Sequence, residues 1–192
     1  MPFSFQSAKK TCWITCMING ICLVKQKDRV RTSVYHKLNT LLNNHEEHGW
    51  GVFYTEDQDL NNFDNVIFEV AELTGLHIYW IRTGDVEIAF NDEQFLQCNG
   101  QVAVCDIGDG AHSILLTDRN GDWFSGFDPW WYGPGRCGND RLRFPRGDDV
   151  VNVEIRKDHL LEEVTTGLFE VGKAYQMGTE IKYRFLTVIE NH

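Results

Sequence analysis

The sequence predicts an α+β protein, and three observations support this prediction. The chain has 192 residues, a length typical of one domain. Residues 1–75 carry apolar side chains at helical spacing, whereas residues 76–192 carry short apolar or alternating runs bounded by Gly, Asp and Asn. No repeat or long linker separates the two parts. We therefore expect a single domain over 1–192, with a helical lobe at 1–75 packed on an antiparallel sheet lobe at 76–192.

Three helices are predicted in the first part. Residues 12–24 are apolar on almost every side, which is typical of a buried helix. Val34, Leu38, Leu41 and Leu42 recur at helical spacing and predict a second helix over 32–44. A third helix, running from about Leu60, is expected to end at Gly75, because glycine accepts the left-handed conformation of a C-cap.

The second part is predicted to form strands joined by short turns. Asn120-Gly121 stands between two apolar runs, which is a strong hairpin signal, so residues 112–128 are expected to form one antiparallel hairpin. Residues 133–149 are rich in Gly, Pro, Arg and Asp and predict a surface loop. The predicted strands are 77–81, 86–90, 101–106, 112–117, 123–128, 150–155 and 180–189.

The charge of the chain limits its partners. A formal charge of −10 disfavours nucleic acid and anionic membrane surfaces, both of which bind basic faces. The apolar run 12–24 is too short to cross a bilayer, and no small-residue cleavage site follows it. We therefore expect no nucleic-acid or membrane partner. A cytoplasmic protein is expected, or one exported without a cleaved signal peptide.

The cysteines predict free thiols and no metal. Six cysteines are present without an oxidising address, and Cys12, Cys16 and Cys22 fall in one short segment. No Cys-x-x-Cys pair occurs, and His45 and His48 are three residues apart, whereas the zinc-protease helix requires four. We expect neither a metal nor another cofactor.

One constellation carries the signature of nucleophilic catalysis. Cys12 stands at the predicted start of the buried helix, where the partial positive charge of a helix N-terminus favours the reactive thiolate. His112 opens the first strand of the predicted hairpin and Asp128 ends the second, so the turn brings them side by side. His112 is then the base, and Asp128 orients its ring. Gln6, six residues before Cys12, can donate to an oxyanion together with the Cys12 backbone N–H.

These residues resemble the papain-like cysteine peptidase pattern. The matching stretches are Gln6 with Cys12-Trp13, Gly110-Ala111-His112-Ser113, and Phe127-Asp128-Pro129-Trp130. The Asp-Pro variant is closest to the bacterial branch, which includes double-glycine leader peptidases and papain-like effector proteases. The resemblance implies a thiol peptidase with Cys12, His112, Asp128 and Gln6 in the roles given above, and a bacterial effector or toxin as its biological setting. The Cys-to-His separation is shorter than in plant papains, and Lys9-Lys10-Thr11 replaces the usual small residues before the cysteine.

The expected function is therefore an endopeptidase that cleaves a polypeptide through a Cys12 acyl-enzyme. Two alternatives remain: a deamidase, transglutaminase-like enzyme or acyltransferase with the same triad, and a non-catalytic peptide-binding domain. The acidic charge predicts basic residues near the cleaved bond. Cys105 is a rival nucleophile, although its apolar surroundings predict strand core. Trp13, Trp130 and Trp131 are assigned to substrate binding, with core aromatics covering the sheet end as the alternative for the last two.

Overall fold

The computed structural model describes residues 11–43, 57–82, 84–97, 100–108, 112–130, 138–145, 151–162, 175–177 and 184–191. Five helices and one antiparallel sheet of seven strands form this part of the chain, which confirms the α+β class. The helices are α1 (Cys12–Val24), α2 (Thr32–Asn43), α3 (Asp57–Thr74), α4 (Gly84–Asn91) and α5 (Lys157–Leu161). The strands are β1 (His77–Arg82), β2 (Gln101–Ile107), β3 (His112–Asn120), β4 (Trp123–Phe127), β5 (Leu142–Arg143), β6 (Val153–Arg156) and β7 (Phe185–Glu190).

The sheet separates two hydrophobic cores. Its strand order is β1-β7-β2-β3-β4-β6-β5, so the C-terminal strand β7 lies between β1 and β2. Along β2 the side chains alternate: Val102 and Val104 pack with α1, α2 and α3, whereas Ala103 and Cys105 pack with α4 and α5 on the other face. Because both faces are covered, apolar side chains point to both faces of β2 over Val102–Cys105.

Helix α1 lies directly on the centre of the sheet, and its predicted bounds are confirmed. It packs against β2, β3 and β7. Gly20 makes this close approach possible, because a Cβ atom there would lie 2.9 Å from Ile189 Cδ1 and 3.2 Å from Leu115 Cδ1. The N-terminus of α1, and with it Cys12, is consequently held at the end of the sheet where β3 begins.

Two further predictions on local structure are confirmed. Helix α3 ends at Thr74, and Gly75 follows with φ +64, the left-handed conformation expected of a C-cap. The hairpin of β3 and β4 is present, with Asn120 paired to Trp123. Its two-residue loop is Gly121-Asp122, and Gly121 has φ +59, which a glycine adopts at little cost.

The predicted strand at 86–90 is wrong, because these residues belong to helix α4. Val86 and Phe90 are four residues apart and both fully buried, while Ile88 between them is 69% exposed. This is the spacing of one helical face rather than of a strand. The short apolar run suited either structure, and only packing against the sheet decides between them.

The predicted surface loop at 133–149 contains a short strand that the sequence did not predict. Leu142 and Arg143 form β5, an edge strand paired with β6, and Leu142 is buried, whereas residues 138–141 and 144–145 are irregular. Residues 133–137 and 146–149 lie outside the described residues. The sequence-based prediction also missed α5 and began β6 early, since the structure starts β6 at Val153. The described part of the last strand starts at Phe185, and residues 180–183 of that prediction lie outside the described residues.

None of the helices in the described residues combines the length and the apolar character that crossing a bilayer requires.

Candidate active site

Cys12 is the first residue of α1 and its side chain is half-buried. The first turn of the helix contains no acidic residue, and Thr11 makes no side-chain capping hydrogen bond. The partial positive charge of the helix N-terminus therefore acts on the Cys12 sulfur without an acidic side chain in that turn to offset it. The other described cysteines, Cys16, Cys22 and Cys105, are buried, and all four are free thiols.

His112 and Asp128 form a buried pair at the end of the β3–β4 hairpin. The His112 Nε2 and Asp128 Oδ1 atoms are 2.8 Å apart, and the exposed fractions of the two residues are 2% and 0%. Leu115 pairs with Phe127, so Asp128 leaves β4 just beyond the start of β3. The predicted contact between these two side chains is present, and it arises from the local hairpin.

The His112 ring lies beside Cys12, whose side chain helps to raise the pKa of the ring. Asp128 occupies Nε2, so we infer that Nδ1 faces the sulfur, because imidazole has only two nitrogens. Burial lowers the pKa of His112, but the hydrogen bond to Asp128 and the charges of Asp128 and the neighbouring Cys12 raise it, and the result is a pKa of about 10. His112 is thus protonated at neutral pH, as an imidazolium beside the Asp128 carboxylate and the Cys12 sulfur.

Asp128 is held rigidly by groups that the sequence-based prediction missed. Tyr175 donates its hydroxyl to Asp128 Oδ2 over 2.6 Å, and the backbone N–H of Trp130 donates to Oδ1 over 2.8 Å. The Asn152 side-chain amide forms two hydrogen bonds with the backbone of Asp128. Its Oδ1 accepts from the Asp128 N–H at 2.7 Å, and its Nδ2 donates to the Asp128 C=O at 2.9 Å. Each carboxylate oxygen therefore has a fixed donor, which stabilises the charged form.

Tyr175 reaches the site from a distant part of the chain. It lies in the described segment 175–177, which Gly108 and Leu160 anchor: the Gly108 N–H donates to the Gln176 carbonyl at 2.7 Å, and the Met177 N–H donates to the Leu160 carbonyl at 2.9 Å. Tyr175 and Asp128 are 47 residues apart. No local pattern around Tyr175 signals this contact, which depends on how the chain returns to the sheet.

A second buried carboxylate lies on the other side of Cys12. Ser113 donates its hydroxyl to Asp106 Oδ1 over 2.5 Å, and the Cys12 thiol donates to Ser113 Oγ over 3.9 Å. Asp106 and Ser113 are directly paired residues of β2 and β3, and both are buried. The sequence does contain a signal for the Asp106–Ser113 pair. An aspartate is unusual inside the apolar run Gln101–Ile107, and the hairpin that follows starts with His112-Ser113.

The predicted aromatic site residues divide into different environments. Trp130 is half-buried beside His112, with ring centroids 6.5 Å apart and the rings at 89°, so it covers one edge of the imidazole. Trp13 is buried in the core with its ring centroid 5.4 Å from that of Phe63. Trp13 therefore packs within the hydrophobic core rather than at the predicted position in a substrate cleft. Trp131 and Gln6 lie outside the described residues.

The rival nucleophile Cys105 lies in the strand core, as the sequence predicted. It is fully buried among the residues that face α4 and α5. Burial and the charge of Asp106 raise the pKa of the Cys105 thiol well above its usual value. A thiol in this environment is a poor source of thiolate.

Among the described residues, no group of three or more His, Cys, Asp or Glu side chains is placed to hold a metal ion. His45 and His48 lie outside them. Searches of protein-family models, curated proteins and solved structures found no match to this chain.

Proposed function

We propose that the chain is a papain-like cysteine hydrolase, an endopeptidase in which Cys12 is the nucleophile. The observation that carries this proposal is the position of the His112 ring, which is hydrogen-bonded to Asp128 at 2.8 Å and lies beside Cys12, whose side chain helps to raise the pKa of the ring. A nucleophilic thiol requires an adjacent group that exchanges its proton and a third group that orients the second. Cys12 is also the one described cysteine that is not buried.

The raised pKa of His112 refines the role that the sequence suggested for this residue. A histidine with a pKa of about 10 already carries its proton at neutral pH, so it enters the reaction as an acid that stabilises a neighbouring thiolate. The Cys12 sulfur attacks the peptide carbonyl, and a C–S bond forms. The C–N bond then breaks, and His112 transfers its proton to the leaving amine. The neutral imidazole next takes a proton from water, whose oxygen cleaves the thioester and releases the acid.

The environment of the carboxylate supports this scheme. Asp128 is bound by the Tyr175 hydroxyl and the Trp130 N–H as well as by His112, so it remains ionised and keeps the imidazole ring in one orientation. The negative charge on the substrate oxygen during attack needs donors. The Cys12 backbone N–H at the start of α1 is one candidate, and the predicted role of Gln6 stays a prediction.

The test is labelling by a peptide-like thiol-reactive probe over a range of pH, followed by mass spectrometry of the modified residue. We expect one adduct, on Cys12, formed well below the pH of about 8.5 at which a free thiol ionises. Cys12→Ala should abolish the adduct and His112→Ala should slow its formation at least tenfold. Cys22→Ala, which changes a buried cysteine of the same helix, is the matched control and should label like the native chain.

Labelling that is spread over several cysteines, or that is indifferent to His112, would refute the proposal. If Cys12 labels as expected, the unlabelled native protein should next be offered peptide mixtures. Cleavage products support an endopeptidase, whereas loss of ammonia from glutamine without cleavage would move the assignment to a deamidase or transglutaminase-like enzyme.

A further inference from the structure

The segment that joins α1 to α2 is strongly basic in an acidic protein. Residues 25–31 read Lys-Gln-Lys-Asp-Arg-Val-Arg, which is four cations against one carboxylate. The whole chain has 18 Lys and Arg against 28 Asp and Glu. The segment, which we call the basic connector, therefore reverses the sign of the surrounding charge, and its field favours anions.

The cations of the basic connector lack ion-pair partners within the described part of the chain. Lys27, Arg29 and Arg31 are exposed, and none of the four cations forms an ion pair there. By contrast, the exposed Arg143 lies 3.8 Å from the Glu154 carboxylate. The backbone of the basic connector is ordered by a hydrogen bond of 2.8 Å from the Lys27 N–H to the Cys22 carbonyl. The cations are thus presented on a fixed turn.

A groove runs from the basic connector to Thr11, the residue before the nucleophile. It has a volume of about 420 Å³ and lies between α1, the basic connector and α2. Asp28, Arg29 and Val30 line one side, and Thr11 and Thr15 line the other. Its remaining lining includes the apolar side chains of Ile14 and Ile18 and the ring of Tyr35. We call this the α1–α2 groove. Its size falls in the range of small-ligand pockets.

The composition of this groove favours a polypeptide over other anions. Apolar walls accept amino-acid side chains, whereas a phosphate backbone gains nothing from them. Nucleic acid also requires an extended basic face. Here the four cations lie within a segment of seven residues, in a chain with net charge −10. The connector also contains Asp28, so four cations and one carboxylate give residues 25–31 a net charge of +3.

We propose that the substrate is an acidic polypeptide segment, whose carboxylates bind the basic connector while a neighbouring apolar side chain enters the α1–α2 groove and brings the backbone to Cys12. This inference rests on the proposed function and adds the substrate class to it. It replaces the expectation, based on the overall charge, that basic residues surround the cleaved bond. The local charge beside the site governs recognition, because charges more than about 10 Å away are screened at moderate salt.

The test measures binding to the 192-residue chain carrying Cys12→Ala, by fluorescence anisotropy. The probes are a short fluorescent peptide of alternating Glu and Leu and the same peptide with Lys in place of Glu. We expect the Glu peptide to bind more tightly, and its affinity to fall as salt rises. Charge reversal at Lys27→Glu with Arg29→Glu should weaken its binding at least tenfold. Both side chains are exposed, so the fold is expected to be retained.

The matched control reverses two arginines on the far strands of the sheet, Arg143→Glu and Arg156→Glu, and should change the affinity less than about twofold. Tighter binding of the Lys peptide, or unchanged binding by the basic-connector variant, would overturn the proposal. Binding of single-stranded RNA or of phosphatidylserine vesicles in preference to the Glu peptide, lost in that variant, would overturn it in favour of those partners.

Failure of this inference is separable from failure of the hydrolase proposal when Cys12 of the native chain is also labelled with iodoacetamide, a thiol reagent too small to require the basic connector. Labelling that persists while the Glu peptide fails to bind rejects only the substrate class. Binding of the Glu peptide without any activated thiol supports an acidic partner and rejects catalysis.

Discussion

Two buried carboxylates flank Cys12, and they differ in what they can do. Asp128 is 0% exposed and is hydrogen-bonded to a titratable ring, that of His112. Asp106 is 3% exposed and accepts from Ser113, a neutral hydroxyl that in turn contacts the Cys12 thiol. Only Asp128 can therefore change the protonation of the group beside Cys12 by direct contact. Burial of an acid near a nucleophile is therefore not enough to influence catalysis, because the acid acts through the group to which it is hydrogen-bonded.

The largest expected effect comes from removing each acid in turn. Asp128→Ala leaves the His112 ring and the Tyr175 hydroxyl without their buried acceptor. Loss of one partner of a buried ion pair costs about 3–5 kcal/mol in the free energy of unfolding. Probe labelling of Cys12 should also fall at least tenfold, because the ring loses its orientation. Denaturant titration and labelling rates measure the two effects.

Asp106→Ala is the matched control for this experiment. It should also destabilise the protein, since Ser113 loses its acceptor, but it should leave the labelling rate within about tenfold of the native value. Equal loss of labelling in both variants would end the distinction between the two carboxylates.

The next effect is a pH dependence of stability set by the His112–Asp128 pair. The folded-state pKa of His112, about 10, lies above its ordinary value of 6.5. The stability that this pair contributes is therefore fully present below pH 6.5 and is lost as pH rises towards 10. Urea titrations across this window should show a falling free energy of unfolding. The decline should be shallower in His112→Gln, and an equally steep decline in that variant would show that another group is responsible.

A smaller effect is expected from the hydroxyl that orients Asp128. Tyr175→Phe keeps the ring and removes the hydrogen bond to a buried charged group, which costs about 1.5–3 kcal/mol. Tyr79→Phe is the control, because Tyr79 also lies near a carboxylate, that of Glu190, which helps burial to raise its pKa, but Tyr79 is only half-buried and belongs to β1. We expect a loss below about 1 kcal/mol there. Thermal and urea unfolding measure the loss of stability in both variants. Equal losses would show that the Tyr175 hydroxyl contributes no more to stability than that of Tyr79.

The smallest effect on the His112–Asp128 pair is expected from removing the Ser113 hydroxyl. Ser113→Ala removes the hydroxyl between Cys12 and Asp106 and should cost about 1–3 kcal/mol of stability, since a buried carboxylate loses a donor. The alkaline titration of His112 should be unchanged, because the Ser113 hydroxyl donates to Asp106, whereas the carboxylate bound to His112 is that of Asp128. A shift of that titration, followed by NMR of the imidazole protons, would show that the two carboxylates are coupled.

Patterns within a short stretch of sequence predicted much of this protein. The bounds of α1, the C-cap at Gly75, the β3–β4 hairpin and the contact of His112 with Asp128 all depend on residues close together in the chain. Helical and strand periodicity, and the preference of glycine for positive φ, are local properties that composition and spacing express directly.

Tertiary structure alone decided the rest. The run from Val86 to Phe90 suits a strand or a helix, and packing on the sheet makes it α4. Tyr175 and Asn152 meet Asp128 because distant segments return to the same end of the sheet. The sequence by itself determined which groups of a possible triad are present and how the hairpin pairs two of them. Long-range packing determined the protonation of His112 and the charge beside Cys12, since both depend on which atoms surround a buried group rather than on which residues precede it.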